Sequence, residues 1–105
     1  MGLSFVEGED QEGAAVYMIH NGSGFEERAL ENLKDELQRR GVRHQIQIFS
    51  SRAGDGEEIL DFYDIMQTPA VLIVRDNDEL FQYWVGQQLP DPGTLAHMVN
   101  TVSYR

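Results

Sequence analysis

The sequence predicts one α/β domain, built around a central four-stranded mixed sheet that is flanked by helices. Three observations carry this prediction. Short apolar runs alternate along the chain with segments of helical periodicity, which is typical of a sheet covered by helices. The last two apolar runs are separated by a short polar turn, which indicates an antiparallel hairpin. The length of 105 residues suits a single domain.

The first strand and the first helix have clear boundaries. Residues 14–20 form an apolar run that ends at the polar stretch Asn21-Gly22-Ser23-Gly24, as expected for a buried strand. From Phe25 to Arg40, apolar residues recur every three or four positions, which predicts an amphipathic helix. Two acids in its first turn and Gly41 just beyond its last turn agree with these ends, because acids suit a helix start and glycine suits a helix stop.

The remaining elements continue the alternation. The predicted segments are residues 42–49 (strand), 57–65 (helix), 69–75 and 80–86 (strands), and a last helix that begins near Asp91 or Pro92 and contains Leu95, Met98, Val99 and Val102. The turn Asp76-Asn77-Asp78-Glu79 joins the last two strands. A helix between two strands of one sheet requires a right-handed crossover, so the first two strands are expected to be parallel, with helices on both faces of the sheet.

Composition limits the classes of partner. The formal net charge is -10, and it divides into 9 acids and 6 bases in residues 1–52 and 9 acids and 2 bases in residues 53–105. A surface this acidic disfavours nucleic acids and anionic membranes as partners, and it favours neutral or basic ones. It also favours a monomer. The apolar runs, such as Ala70 to Val74, are far too short to cross a bilayer, and the first residues lack the pattern of a signal peptide. We therefore expect a cytoplasmic protein.

Domain organisation follows from the same composition. Residues 1–13 contain four acids, three glycines and no base, which favours an acidic, flexible N-terminal tail, or at most an edge strand. Residues 14–105 are expected to form the single domain.

The stretch from Tyr63 to Val74 carries a family resemblance. A tyrosine-led turn, the pair Thr68-Pro69, a buried strand, a hairpin, Val85-Gly86 and a final helix follow one another in the order found in the second half of thioredoxins. The chain resembles that family over about residues 14–102, which implies a thioredoxin-like fold. The resemblance further implies a cis peptide bond before Pro69. It also implies a groove for an extended peptide, lined by Phe25, Thr68, Pro69 and Gly86.

The chemistry of thioredoxins is missing from this chain. The family's redox motif falls on Ser23-Gly24-Phe25-Glu26, or on His20-Asn21-Gly22-Ser23 if the count runs back from the helix, and the chain contains no cysteine. Thiol–disulfide exchange needs a thiolate to attack a disulfide, so oxidoreductase activity of the family's kind is excluded.

The residues at that position have another interpretation. Ser23 and Glu26 have the spacing of a capping box, in which the Ser hydroxyl accepts the N–H of Glu26 and the Glu carboxylate accepts the N–H of Ser23. His20 could serve as a base or metal ligand beside Glu26, but a single histidine at a strand end is more often a hydrogen-bonded structural residue. No ligand spacing or phosphate loop is present, so we expect no metal and no cofactor.

Trp84 has two interpretations. An outward tryptophan near the sheet edge would be an interaction hot spot, whereas an inward one would pack against the last helix near Leu95 or Val99, which is somewhat favoured.

The function favoured by the sequence is binding. We expect a non-redox adaptor or chaperone-like module that holds a protein or an extended peptide segment in the groove beside Pro69. Two alternatives remain open at this point. One is an enzyme that uses His20 and Glu26 in the same groove, and the other is an assembly or regulatory subunit that contacts its partner through the sheet edge around Trp84.

Overall fold

The computed structural model describes residues 14–52 and 54–103, so the predicted acidic tail of residues 1–13 lies outside the described residues. The strands are β1 (Ala15–His20), β2 (Gln45–Ser50), β3 (Ala70–Val74) and β4 (Leu80–Val85), and the helices are α1 (Gly24–Arg39), α2 (Gly54–Phe62) and α3 (Pro92–Ser103). Within the described ranges, no helix combines the length and the apolar character that crossing a membrane requires.

The four strands form one mixed sheet in the order β2-β1-β3-β4. β1 and β2 are parallel and are joined through α1, whereas β1 pairs with β3, and β3 with β4, in antiparallel fashion. The predicted parallel pairing of the first two strands and the predicted hairpin are both confirmed. β1 and β3 are the central strands, and every residue in them is buried, as expected for strands covered on both faces.

Two apolar clusters lie on the two faces of the sheet. One joins the sheet to α1 and α3 and includes Met18, Leu37 and Val99. The other joins the sheet to α2 and includes Tyr17 and Ile59. Alternate residues of each strand point to opposite faces, so the same apolar strand supplies both clusters.

The end of α1 is closed by a hydrogen-bonded turn. Gly41 adopts a left-handed conformation with φ 88°, which glycine tolerates because it lacks a Cβ. The Gly41 N–H donates to the Gln38 carbonyl at 3.1 Å, and the Val42 N–H donates to the Leu37 carbonyl at 3.0 Å. This pair of bonds is the Schellman motif, and it places Val42 in the core beside Leu37. β2 therefore begins at Gln45, three residues later than predicted.

Helix α2 is displaced toward the N-terminus from its predicted range. It begins at Gly54 rather than residue 57 and ends at Phe62 rather than residue 65. Asp64 adopts φ 58°, and the Ile65 N–H donates to the Leu60 carbonyl at 2.9 Å, so a second Schellman turn ends the helix. Helix propensity does not predict this start, because the first turn contains Gly54 and Gly56 and glycine is a poor helix former. Of these, Gly56 lies so close to the end of β2 that only glycine fits there.

Candidate binding groove

Residues 20–26 comprise the end of β1, the connecting loop of residues 21–23 and the start of α1, and they lie where the family would carry its redox motif. Their side chains bond to their own backbone. His20 Nδ1 accepts the Gly22 N–H at 3.0 Å, and Asn21 Oδ1 accepts the Ser23 N–H at 2.9 Å. The buried His20 thus acts as a hydrogen-bond acceptor that shapes the turn.

The predicted capping box is half correct. Ser23 Oγ accepts the Glu26 N–H at 3.2 Å, as predicted, and this satisfies one of the free donors at the helix start. The second half is wrong, because Glu26 Oε1 accepts the N–H of Asn21, at 2.9 Å, and not that of Ser23. The reason is that the side chain of Asn21 already accepts the Ser23 N–H, so the carboxylate bonds to the next free donor along the chain.

A residue that sequence analysis did not single out holds this loop from outside. Arg52 Nε donates to the Asn21 carbonyl at 2.9 Å, and its side chain lies over Gly22, where an added Cβ would meet it at 3.0 Å. The Ser51 N–H also donates to the His20 carbonyl at 2.7 Å. Arg52 is 31 residues from Asn21 along the chain, and no local signal in the sequence links the two.

These hydrogen bonds involve His20 and Glu26, the two residues on which the hypothesis of an enzyme depends. A general base needs a free acceptor atom near its substrate. In His20 the Nδ1 atom is engaged, and in Glu26 the Oε1 atom is engaged, both with backbone N–H groups of the same loop. Within residues 14–52 and 54–103, no group of three or more His, Asp or Glu side chains is arranged to hold a metal ion.

A groove of ≈ 470 Å³ lies beside the first turn of α1, between this turn and the segments that precede β3 and follow β4. All four residues predicted for a groove line it: Phe25, Thr68, Pro69 and Gly86. Phe25 is 80% exposed, so most of its ring is open to solvent at the groove. Glu26, Ala29, Gln87 and Leu89 complete the lining, so the walls are largely apolar.

The backbone around Pro69 sets the shape of the groove. The Thr68–Pro69 peptide bond is cis, as the family resemblance implied. The Gly86 N–H donates to the Pro69 carbonyl at 2.9 Å, and Gly86 has φ 65°, so the segment after β4 turns away from the sheet at that point. Among the described residues, the N–H and C=O groups of Thr68 have no hydrogen-bond partner.

The segment that leads to Thr68 is anchored by Tyr63. Its hydroxyl donates to the Asp78 carbonyl at 2.6 Å, which ties the end of α2 to the hairpin turn. Burial, with smaller contributions from Asp78 and Tyr17, raises the pKa of Tyr63 well above its usual range. The hydroxyl therefore stays protonated, and able to donate, at neutral pH.

Two further depressions adjoin the groove. One, of ≈ 250 Å³, shares Ala29 and Leu89 with it and extends along α1 to Glu36. The other, of ≈ 400 Å³, shares Thr68 with it and lies on the side of α2. The groove is thus the middle part of a longer series of depressions.

Trp84 is half-buried and packs against the cluster beneath α1 and α3. It is paired with Val71, which points to that face, whereas the neighbouring Tyr83 is paired with Leu72 and points to the α2 face. The position agrees with the inward interpretation of Trp84. The exposed aromatic residues of β4 are instead Phe81, at 42%, and Tyr83, at 44%.

Comparison with solved structures agrees with the architecture. A mutant thioredoxin from Halobacterium salinarum NRC-1 superimposes with a TM-score of 0.70 at 14% identity, covering 91% of this chain and 79% of that one. Thioredoxin O2 from Arabidopsis thaliana gives 0.64 at 11% identity over 88% and 76% of the two chains. A thioredoxin-like protein from Clostridium perfringens gives 0.70 at 10% identity over 90% and 74%. No protein-family model and no curated protein sequence matches the chain.

Proposed function

We propose that this cysteine-free protein with a thioredoxin-like fold is a binding module of the adaptor or chaperone kind, which holds an extended segment of a partner protein in the groove. The observation that carries the proposal is the exposed Phe25 beside a Thr68 whose main-chain groups are unpaired within the described chain. Phe25 offers an apolar anchor and Thr68 offers backbone hydrogen bonds, and an extended peptide uses both.

Phe25 supplies the apolar part of the interaction. Covering an exposed phenylalanine side chain completely contributes about 1.5–3 kcal/mol, from the apolar area that leaves water. At 80% exposure, nearly all of that area is still available to a partner. The residue lies in the first turn of a helix that is capped by Ser23, so its backbone is already helical before binding.

Thr68 supplies the polar part. An exposed backbone segment next to a sheet can pair with an extended peptide through main-chain hydrogen bonds, which tolerate many side chains. Such pairing gives affinity without requiring one sequence. Ala29 and Leu89, on the walls, add apolar contact for side chains that point into the groove.

The length of the surface limits the length of the ligand. The groove and the depression next to it follow α1 from Phe25 to Glu36, which is about 16 Å at the helical rise per residue. An extended chain advances about 3.3 Å per residue, so this surface suits a segment of about five residues.

Charge selects among such segments. The chain has a formal net charge of -10, and Glu26 lies in the lining of the groove. A neutral or basic segment is favoured, and its association should weaken as salt screens the attraction. The same charge disfavours nucleic acids and anionic lipid surfaces as partners.

A peptide library tests the proposal directly. Dodecapeptides displayed on phage are selected against the wild-type protein, against Phe25→Asp and against Phe81→Asp. Phe81 is 42% exposed and lies outside the lining of the groove, so its substitution is a matched control. We expect the wild type and the control to enrich the same peptides, and Phe25→Asp to lose them.

Nuclear magnetic resonance then locates the binding surface. Addition of an enriched synthetic peptide to the labelled protein should shift the amide signals of Phe25, Thr68 and Gly86. Shifts confined to Phe81 and Tyr83 would contradict the groove and favour assembly through the β4 edge, where these two aromatic side chains are exposed.

A further inference from the structure

The depression on the far side of Thr68 has a chemistry of its own. We call it the acidic depression; its lining includes Glu57, Leu60, Asp61, Ile65, Met66 and Thr68. Thr68 also lines the groove, so the two surfaces adjoin at this residue. A segment that pairs with the Thr68 backbone in the groove would therefore lie next to the acidic depression.

Apolar groups form one part of the acidic depression. Leu60 and Ile65 pack in the apolar cluster between the sheet and α2, whereas Met66 is 90% exposed. A methionine this exposed offers a flexible apolar surface that adapts to the shape of a bound side chain.

Carboxylates form the other part. Glu57 and Asp61 are four residues apart on α2, so they lie on the same side of the helix, where like charges repel. None of the ion pairs within the described residues involves either of them. A cation placed between them would remove this repulsion.

The combination of the two parts identifies the occupant. Lysine and arginine have a long methylene stem and a charged head, and they bind best where apolar surface ends at a carboxylate. An apolar side chain would leave the two carboxylates uncompensated, and an acidic one would be repelled. We propose that the acidic depression is a subsite for a lysine or arginine side chain of the segment that occupies the groove, an inference that rests on the proposed function.

The proposal has a consequence for the sequence of the partner. In the bound segment of the partner, an apolar residue lies against Phe25. A basic residue of the same segment follows or precedes it at a fixed short spacing and lies on the other side of Thr68. Successive side chains of an extended segment point to opposite sides, so the spacing is set by the positions of the groove and the acidic depression.

The phage-displayed dodecapeptide library is selected against three proteins: the wild type, the double variant Glu57→Gln/Asp61→Asn, and the double variant Glu31→Gln/Asp35→Asn. The last makes the same change of charge at two exposed acids of α1, outside the linings of the groove and the acidic depression, and controls for the overall charge. Circular dichroism confirms that each variant folds. We expect the wild type and the control to enrich a basic residue at constant spacing from an apolar one. Glu57→Gln/Asp61→Asn should keep the apolar residue and lose the basic one.

Affinities of defined peptides complete the test. One enriched peptide is synthesised with its basic residue and with glutamine in its place. The replacement should weaken binding to the wild type about threefold to tenfold, and it should change binding to Glu57→Gln/Asp61→Asn little. Equal losses in both proteins, or enrichment of apolar residues alone, would overturn the subsite and leave the groove standing. If the wild type enriched no peptide, the proposed function would fall with it.

Discussion

The connection from β1 to α1, residues 20–24, is bonded to itself, to Glu26 and to Arg52, whereas the adjacent groove leaves Phe25 exposed and the Thr68 backbone unpaired within the described residues. The two regions meet at Glu26, which bonds to Asn21 and also lines the groove. A polar group that is already hydrogen-bonded gains little from a ligand, whereas an exposed aromatic ring gains from being covered and unpaired backbone groups gain from the ligand's hydrogen bonds.

The comparison indicates a structural role for the residues at the position of the redox motif. Where the redox motif would lie, the chain carries residues that hold a loop in shape, and that loop fixes the start of α1. The groove depends on this start, because Phe25 is the second residue of the helix. The structural region therefore supports the binding region, and variants should separate the two roles.

The largest expected effect concerns the support that lies beneath the loop. A Cβ added to Gly56 would lie 1.9 Å from the Ser50 carbonyl oxygen, and the next two residues, Ser51 and Arg52, are those that hold the loop. Gly56→Ala should lower the free energy of unfolding by about 3 kcal/mol, the upper part of the range for overpacking. Urea unfolding followed by circular dichroism measures the loss. In Gly24→Ala, the added Cβ meets nothing within 4 Å, so a similar loss there would refute the steric explanation.

Phe25→Ala should affect binding and leave stability nearly unchanged. We expect affinity for an enriched peptide to fall about tenfold, which corresponds to about 1.4 kcal/mol. The free energy of unfolding should change by less than about 0.5 kcal/mol, because the side chain is largely exposed. Titration calorimetry and urea unfolding measure the two quantities. A large loss of stability would mean that the ring packs in the free protein.

Ser23→Ala should show the opposite pattern. Loss of the cap should lower the free energy of unfolding by about 1 kcal/mol. Peptide affinity should stay within about twofold of the wild type, since Ser23 is not in the lining of the groove and the bond from Asn21 to Glu26 still holds the start of α1. Ser23→Asp retains a capping oxygen and should restore stability. If Ser23→Ala weakened peptide binding as much as Phe25→Ala, the two regions would have to be regarded as one site.

Arg52→Gln should have a smaller and local effect. Removing the bond to the Asn21 carbonyl should lower the local stability of the loop by about 0.5–1.5 kcal/mol, since this is the net contribution of one hydrogen bond. Hydrogen exchange should therefore be faster at the amides of Gly22 and Ser51. Arg28→Gln, at an exposed position of α1, is the matched control. Uniformly faster exchange would indicate global destabilisation instead.

The smallest expected effect is zero. In the reduction of insulin by dithiothreitol, addition of this protein should leave the rate at that of the blank, because the chain contains no cysteine. A commercial thioredoxin serves as the positive control. Any acceleration that persists after repurification would show that residues 20–26 have a chemistry that their hydrogen bonds do not suggest.

The sequence by itself determined the order and type of the elements. Apolar periodicity identified β1 and α1, and a polar turn between two apolar runs identified the hairpin, because these features depend on residues close together in the chain. The four residues of the groove could also be named in advance. The family resemblance, and not periodicity, implied Phe25, Thr68, Pro69 and Gly86, and all four line the groove.

The tertiary structure alone decided the contacts between distant segments. Glu26 bonds to Asn21 rather than Ser23, Arg52 closes the loop from 31 residues away, and Gly56 sets how closely α2 approaches β2. The acidic depression likewise exists only because α2 ends beside the segment that leads to Thr68. Such contacts depend on distances between segments that are far apart in the sequence, and local periodicity does not determine these distances.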